Sequence, residues 1–192
     1  ELYKSIDLVC FFSSGMAFGL MGVASVFTGI YYGLEFMPSA SVMVTLSATL
    51  FFSTWASVIR TQLLIPKGKD IIYVISVSSG AGINLVLNYF LIPRYGAKGA
   101  AIATVVTEAG VALIQCMMIN KEVPIVSKLM RNLLWLLPGA FMLMALRQIE
   151  STLYINQYLK LFIMIMVGII IYFALATILI LIKKIICRKL HI

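Results

Sequence analysis

Six long apolar stretches constrain this chain more than any other feature, because each is long enough to cross a bilayer. A hydrocarbon core of ~30 Å takes about 20 helical residues. None of the stretches alternates as a barrel strand does, and in lipid a helix satisfies its backbone polar groups within its own segment. We therefore predict an all-α fold, a polytopic membrane helical bundle of six transmembrane helices. The spans cover about residues 8–34, 36–59, 71–92, 99–119, 129–146 and 161–182 of a single lobe, residues 1–192.

The overall composition agrees with a membrane location. Hydrophobic residues make up 62% of the chain and charged residues 11%, whereas about 25% of an ordinary soluble domain is charged. With a mean hydropathy of +1.05, the chain has too little polar surface to coat a globule in water. Membrane lipid is accordingly the first partner that the sequence predicts.

The lysines and arginines are divided unevenly between the two sides of the predicted bundle. If the C-terminal tail is cytoplasmic, alternate loops place four of the 15 basic residues outside, namely Arg94, Lys98, Arg147 and Lys160. Cytoplasmic loops carry the excess of positive charge in membrane proteins, so both termini of this segment are predicted to be cytoplasmic. The basic residues on the inside are then Lys4, Arg60, Lys67, Lys69, Lys121, Lys128, Arg131, Lys183, Lys184, Arg188 and Lys189.

Charge and cysteine usage exclude several classes of function. The formal net charge of +8 is interpreted as a basic rim that meets anionic lipid headgroups, since no polar domain or aromatic groove supports a nucleic-acid partner. His191 is the single histidine, and Cys10, Cys116 and Cys187 lie far apart. They provide no metal-ligand spacing and no histidine-dependent triad. We therefore expect no enzyme activity, no catalytic residue, no metal and no cofactor, and leave a proton or sodium ion open as the coupling ion.

A single acid, Glu108, lies near the middle of the fourth span. Helical spacing places it on one face with Ala101, Thr104, Ala112 and Gln115, and places most bulky aliphatic residues on other faces. A charged side chain at the bilayer centre costs about 2.5–3.5 kcal/mol or more. Two interpretations stay open, a structural glutamate bonded to a neighbouring helix and a residue of a transport pathway. We favour the second because intramembrane acids usually have a function.

Three further polar side chains extend the candidate pathway. Asn84 and Asn88 lie one turn apart in the third span, and either bridge helices or face a wet cavity. Arg60 lies ~9 Å before Pro66 by helical rise, so it either snorkels to the cytosolic interface or meets an anionic ligand in a cavity. The predicted residues of the transport pathway are Glu108, Arg60, Asn84, Asn88, Gln115 and Thr104.

Other polar and small residues of the spans are interpreted as packing features. The second span repeats a hydroxyl side chain every four residues from Ser41 to Thr61, which suits the close approach of a crossing helix. Pro138 and Gly139 predict a kink halfway along the fifth span, because proline removes a backbone hydrogen bond and glycine adds freedom.

One stretch resembles a known family. LNYFLIPRYGAKGAAIATVVTE, residues 87–108, is similar to the helix-turn-helix signature of polysaccharide exporters. YYGLEFMPSASVM, which ends the first span, and LLIPKGKD, which ends the second, occur in the order and spacing seen in that family. The specific resemblance covers about residues 31–120. These exporters belong to the superfamily of multidrug, oligosaccharidyl-lipid and polysaccharide exporters.

The resemblance implies the C-terminal lobe of a two-lobe flippase. Family members move undecaprenyl-pyrophosphate-linked repeat units of capsule or O-antigen across the bacterial cytoplasmic membrane, and place cationic and polar side chains in a central cavity. Because members usually have twelve or more helices in two lobes, and because the chain begins at Glu1, we expect an N-terminal lobe of about six further spans.

The implied partners are a lipid-linked oligosaccharide, the N-terminal lobe and other polysaccharide-assembly proteins. Two alternative functions stay open. The first is a multidrug or cation antiporter of the same superfamily, in which Glu108 is the coupling site. The second is a non-transporting scaffold subunit of a glycan-assembly complex, which would need the packing features and neither Glu108 nor Arg60.

Overall fold

A computed structural model of the protein describes residues 2–120 and 125–189, and this part of the chain is helical without any strand. It confirms the predicted all-α membrane fold, since six of its helical segments are long and apolar enough to cross a bilayer. Lys121 and His191 lie outside the described residues, as do the side chains of Lys128, Cys187, Arg188 and Lys189. The helices are α1 (Leu2–Tyr31), α2 (Pro38–Ser47), α3 (Thr49–Ile59), α4 (Asp70–Tyr95), α5 (Ala97–Ile119), α6 (Ile125–Asn132), α7 (Leu136–Thr152) and α8 (Gln157–Lys189).

The second span is built from three joined pieces. Helices α2 and α3 meet at Ala48, and α3 continues into a π-helical turn over Arg60–Leu64. In that turn the Ile65 amide donates to the Arg60 carbonyl at 3.0 Å, five residues back. Such π-helical turns are rare and are often found at functional sites. The turn sets the position of Arg60 at the end of the span.

Helices α4 and α5 form a tight antiparallel hairpin, and α4 packs mainly on α5. The turn between them depends on Gly96, whose φ of 55° is a left-handed conformation that glycine adopts at little cost. Its amide donates to the Ile92 carbonyl at 2.8 Å and so ends α4. Gly99 then lets α5 approach the backbone carbonyl of Leu91 directly, where a side chain would not fit. This is the segment that carries the family resemblance.

The rest of the lobe is a bundle of α1, α7 and α8. Gly15 of α1 faces the ring of Tyr172 in α8, and the Tyr172 hydroxyl donates to the Phe11 carbonyl at 2.5 Å. On the same face of α1, Ser14 donates to the Trp135 carbonyl at 2.6 Å, and Phe18 lies against Gly139. Gly15 and Gly22 therefore allow α1 to pack closely on α8 and α7, whereas Gly33, at the end of the first span, has no atom within 4 Å of the position that a Cβ would take.

One local prediction differs from the structure, and one helix extends beyond its predicted span. The kink expected inside the fifth helix is replaced by a break before it, because α6 ends at Asn132 and a short 3-10 turn over Leu133–Trp135 leads into α7. Pro138 then lies in the first turn of α7, where its missing N–H leaves no helical hydrogen bond unmade. Helix α1 begins at Leu2, ahead of the apolar span predicted from residue 8, and includes Lys4 and Asp7.

The orientation of the bundle stays a prediction that reporter fusions can check. A reporter joined after Lys69 or Lys128 of the full-length protein should be active in the cytoplasm, and one joined near Arg94 or Arg147 should be active outside, because basic residues accumulate on the cytoplasmic side. Reversed activity at two of these sites would show that the lobe has the opposite orientation.

Candidate functional site

A polar cavity of about 550 Å³ lies between α3, α4 and α5. Its size is within the range of about 300–1,000 Å³ that is usual for small-molecule sites. Helix α3 and the π-helical turn form one wall, and the α4–α5 hairpin forms the others. The lining residues are Ser53, Ala56, Ser57, Arg60, Tyr73, Val77, Gly80, Ala81, Asn84, Thr104, Thr107, Glu108, Val111 and Gln115.

The cavity brings together most of the side chains that the sequence singled out. Arg60, Asn84, Thr104, Glu108 and Gln115 all line it, although they come from three different spans. The sixth candidate, Asn88, is outside the lining, one turn along α4. Its side-chain amide donates to the Asn84 carbonyl oxygen at 2.7 Å. Asn88 therefore does not line the cavity itself, but its hydrogen bond orients Asn84, which does.

Glu108 is half-buried in the cavity wall. Its carboxylate makes no hydrogen bond or ion pair with any residue in 2–120 or 125–189. Ala101 and Ala112 on the same face of α5 are buried, whereas Val106 and Leu113 on other faces are exposed. The direction predicted from helical spacing is confirmed, and the hydrogen bond to a neighbouring helix that a structural glutamate would make is absent among these residues.

Arg60 lies at one end of the cavity, where the π-helical turn begins. Its guanidinium is 5.3 Å from the centre of the Tyr73 ring, in cation–π geometry. It also lies 3.5 Å from the Tyr73 hydroxyl and 3.3 Å from the Ser57 hydroxyl. Within the described part of the chain it has no carboxylate partner. These long, neutral contacts orient the guanidinium and leave its charge available to an anion.

Two interhelical hydrogen bonds hold α4 and α5 together around the cavity. The Gln115 amide donates to the Ser76 hydroxyl at 3.0 Å, and the Asn84 amide donates to the Thr107 hydroxyl at 3.2 Å. Between them Gly80 lies against Val111, so the two backbones approach closely. The cavity wall is therefore a rigid hairpin rather than two independent helices.

Sequence reasoning missed several lining residues. Ser53 and Ser57 were interpreted as part of a packing ridge, but both line the cavity. Other members of the ridge bond to their own helix instead, as Thr45 does to the Ser41 carbonyl at 2.8 Å. Tyr73 gave no signal in the sequence, since one tyrosine near a span end is usually an interfacial anchor.

A second cavity, of about 510 Å³, lies between α1, α7 and α8. Its lining is almost entirely aliphatic and aromatic, with Phe12, Met16 and Leu20 from α1 and Ile165 and Phe173 from α8. A surface of this kind suits hydrocarbon chains rather than sugars.

Water access to the polar cavity can be measured with cysteine substitutions in the full-length protein. Glu108→Cys and Thr104→Cys should react with a small water-soluble thiol reagent, because both positions line the cavity. Val106→Cys is the matched control on the same helix, since its exposed side chain is outside the cavity lining and is expected to face lipid. Absence of labelling at positions 104 and 108 would show that the cavity excludes water, and labelling at position 106 as strong as at 108 would show that Glu108 is not on a distinct, water-facing side of α5.

Comparison with known proteins gives one structural likeness. No family model matches the chain, and no curated protein matches it. Among solved structures, the fold is similar to one described as lipid II flippase MurJ, inward closed conformation, with a TM-score of 0.71 at 18% sequence identity. The match covers 100% of this chain and 39% of that chain, so the chain spans about two fifths of the flippase that it matches. At this identity the likeness shows a shared fold.

Proposed function

We propose that this chain is one lobe of a flippase that moves undecaprenyl-pyrophosphate-linked oligosaccharide repeat units across the bacterial cytoplasmic membrane. The units would serve the assembly of capsule or another surface polysaccharide such as O-antigen. The reaction is transport without covalent chemistry, so the protein is not an enzyme in this proposal. Both termini of the segment are on the cytoplasmic side.

The polar cavity is the observation that carries this proposal. It combines a cation without a carboxylate partner, Arg60, with a series of amide and hydroxyl side chains inside a membrane-spanning fold. A pyrophosphate needs a cation, and sugar hydroxyls need both donors and acceptors. The fold likeness to a lipid II flippase and the family resemblance of residues 87–108 both support a lipid-linked substrate.

Each part of the substrate has a matching surface in the lobe. Arg60 binds the pyrophosphate, and Asn84, Thr104 and Gln115 bind sugar hydroxyls, with Asn88 positioning Asn84. The apolar cavity between α1, α7 and α8 accommodates part of the polyprenyl chain or a membrane lipid. An N-terminal lobe of the same protein closes the open side of the polar cavity, and rocking of the two lobes exposes it to each side of the membrane in turn.

The unpartnered carboxylate of Glu108 favours one alternative, a multidrug or cation antiporter. A membrane-embedded acid that accepts no hydrogen bond from the described residues is suited to exchange a proton or sodium ion for a cationic substrate. The scaffold alternative is less well supported, because a scaffold has no need for a charged side chain in a cavity of about 550 Å³.

Removal of the gene separates these functions. In a bacterium that makes a surface polysaccharide, deletion should abolish the polymer and leave lipid-linked repeat units in the cytoplasmic leaflet, and the full-length gene should restore both. An antiporter would instead give increased drug sensitivity with normal polysaccharide. A scaffold would restore export even when Glu108 and Arg60 are both replaced, since its helix packing is unchanged.

Arg60 provides a more specific test of pyrophosphate binding. We expect Arg60→Gln to lower export by about tenfold, because one charge-assisted hydrogen bond contributes ~1.5–3 kcal/mol. Arg60→Lys should also reduce export, since lysine lacks the planar guanidinium group, which can donate two hydrogen bonds to a phosphate and packs over the Tyr73 ring. Accumulation of lipid-linked units in the membrane is the readout. If the Lys variant is fully active and the Gln variant is nearly so, Arg60 serves as an interfacial anchor.

A further inference from the structure

Along its α5 wall, the polar cavity contains hydrogen-bond acceptors that receive no donor from the described residues. Glu108 has two carboxylate oxygens without a partner among the described residues. The Oε1 atom of Gln115, whose side chain is 1% exposed, is also buried without a donor. Buried acceptors of this kind are costly unless a ligand or water donates to them.

The orientation of the Gln115 side chain follows from its neighbours. Ser76 donates its hydroxyl proton to the Tyr73 carbonyl at 2.8 Å, so it can only accept from Gln115. The Gln115 amide nitrogen must therefore face Ser76, at 3.0 Å. This leaves the amide oxygen as the atom that is free to meet a ligand.

The charges of the cavity are arranged along the axes of α4 and α5. Gln115 pairs with Ser76, and Glu108 lies seven residues before Gln115 on α5, which is about 10 Å of helical rise. The Arg60–Tyr73 pair lies three residues of α4 beyond Ser76, on the side away from Glu108, which adds about 4.5 Å. The cavity is therefore dipolar, with a cation at one end and an acid about 15 Å away along the helices.

We propose that this cavity selects a saccharide that carries a free ammonium group, held by Glu108 about 15 Å along the helices from an anionic group held by Arg60. This inference rests on the proposed function and specifies the substrate class of the same site. Charge-assisted hydrogen bonds are roughly twice as strong as neutral ones, and the described residues offer Glu108 no cation of their own. A ligand ammonium would compensate the carboxylate better than a hydroxyl, while the Gln115 oxygen accepts a neighbouring sugar hydroxyl.

The test compares two synthetic probes that differ by one acetyl group. The first is farnesyl pyrophosphate linked to a trisaccharide of N-acetylglucosamine whose third sugar is replaced by glucosamine, so that its free ammonium is remote from the pyrophosphate. The fully acetylated trisaccharide is its neutral match. Equilibrium binding to the full-length protein in lipid nanodiscs is measured at slightly acidic pH. We expect the ammonium probe to bind about tenfold more tightly, which corresponds to ~1.4 kcal/mol.

Two variants show whether Glu108 is the source of the preference. Glu108→Gln should bring the affinity ratio of the two probes to about one. Glu35→Gln, which alters an exposed acid away from the cavity, should retain the tenfold preference. A preference that survives Glu108→Gln would overturn the assignment of the ammonium to this carboxylate.

The remaining outcomes separate this inference from the proposed function. Equal binding of both probes by the wild-type protein would overturn the ammonium selectivity and leave lipid-linked transport in place. A further outcome is that both probes bind equally and that the protein takes up radioactive sodium unless Glu108 is replaced by Gln. This result would assign the acid to an inorganic cation and overturn the ammonium selectivity. Failure of both probes to bind would reject the proposed function and the inference with it.

Discussion

Replacing Glu108 by Gln is expected to reduce surface polysaccharide by roughly ten- to hundredfold while the protein stays inserted and abundant. The substitution keeps the shape of the side chain and removes the charge, and losing one charge-assisted interaction costs ~1.5–3 kcal/mol. No hydrogen bond within the described residues is broken, because the carboxylate has no partner there. Export and protein level are measured together, so that a folding defect is separated from a transport defect.

The matched control for this variant is Glu35→Gln. Glu35 is exposed in the short turn between α1 and α2, outside both cavities. The Glu35→Gln substitution removes the same charge from the same lobe. It should leave export within about twofold of wild type, since an exposed charge contributes little interaction energy. Normal export by the Glu108 variant, with lipid-linked units at wild-type level, would contradict a role for this acid in the pathway.

The direction of Glu108 could be predicted from the sequence because it depends on one helix. A helix turns by about 100° per residue, so the small residues that share its face with Glu108 mark the protein side and the bulky aliphatic ones mark the lipid side. The burial of Ala101 and Ala112 confirms this. The six-helix membrane fold was predictable for a similar reason, since the length and apolarity of a span are local properties.

The composition of the cavity could not be predicted in the same way. Whether Ser57 faces a cavity or a packed helix depends on where α4 and α5 cross α3, and this crossing is set by contacts between distant segments. Thr107 accepts a hydrogen bond from Asn84, and Tyr73 stacks on Arg60, through neighbours that single-helix periodicity does not identify. The π-helical turn at Arg60 likewise has no signal in the sequence, because it requires no glycine or proline.

The break in the fifth span shows a second reason why some features could not be predicted from the sequence. Pro138 correctly marks an irregular segment, but proline is compatible with both a kink inside a helix and a position in the first helical turn. The choice between them is made by tertiary contacts. Ser14 of α1 takes the Trp135 carbonyl as its acceptor, and Phe18 occupies the space beside Gly139. The start of α7 is fixed by α1 rather than by its own sequence.

The largest effect on stability is expected from Gly99→Ala in the α4–α5 turn. A methyl group at this position would lie against the backbone carbonyl of Leu91, and a backbone cannot move aside as a flexible side chain can. Overpacking costs about 1–3 kcal/mol, and we expect the upper end of that range here. The thermal unfolding midpoint of the full-length protein in detergent, together with its steady-state abundance in the membrane, measures the loss.

Two glycines of the same hairpin serve as controls for Gly99. Gly82 has no atom within 4 Å of the position that a methyl group would take, and at Gly110 the nearest is Ile83 at an ordinary 3.5 Å. Alanine at either site should be neutral or raise stability by up to ~1 kcal/mol, because alanine restricts the unfolded chain and favours the helix. If Gly99→Ala unfolds at the same temperature as these two controls, the α4–α5 hairpin is not closed by direct backbone approach. The cavity wall that carries Asn84, Thr107 and Glu108 would then owe its rigidity to the interhelical hydrogen bonds alone.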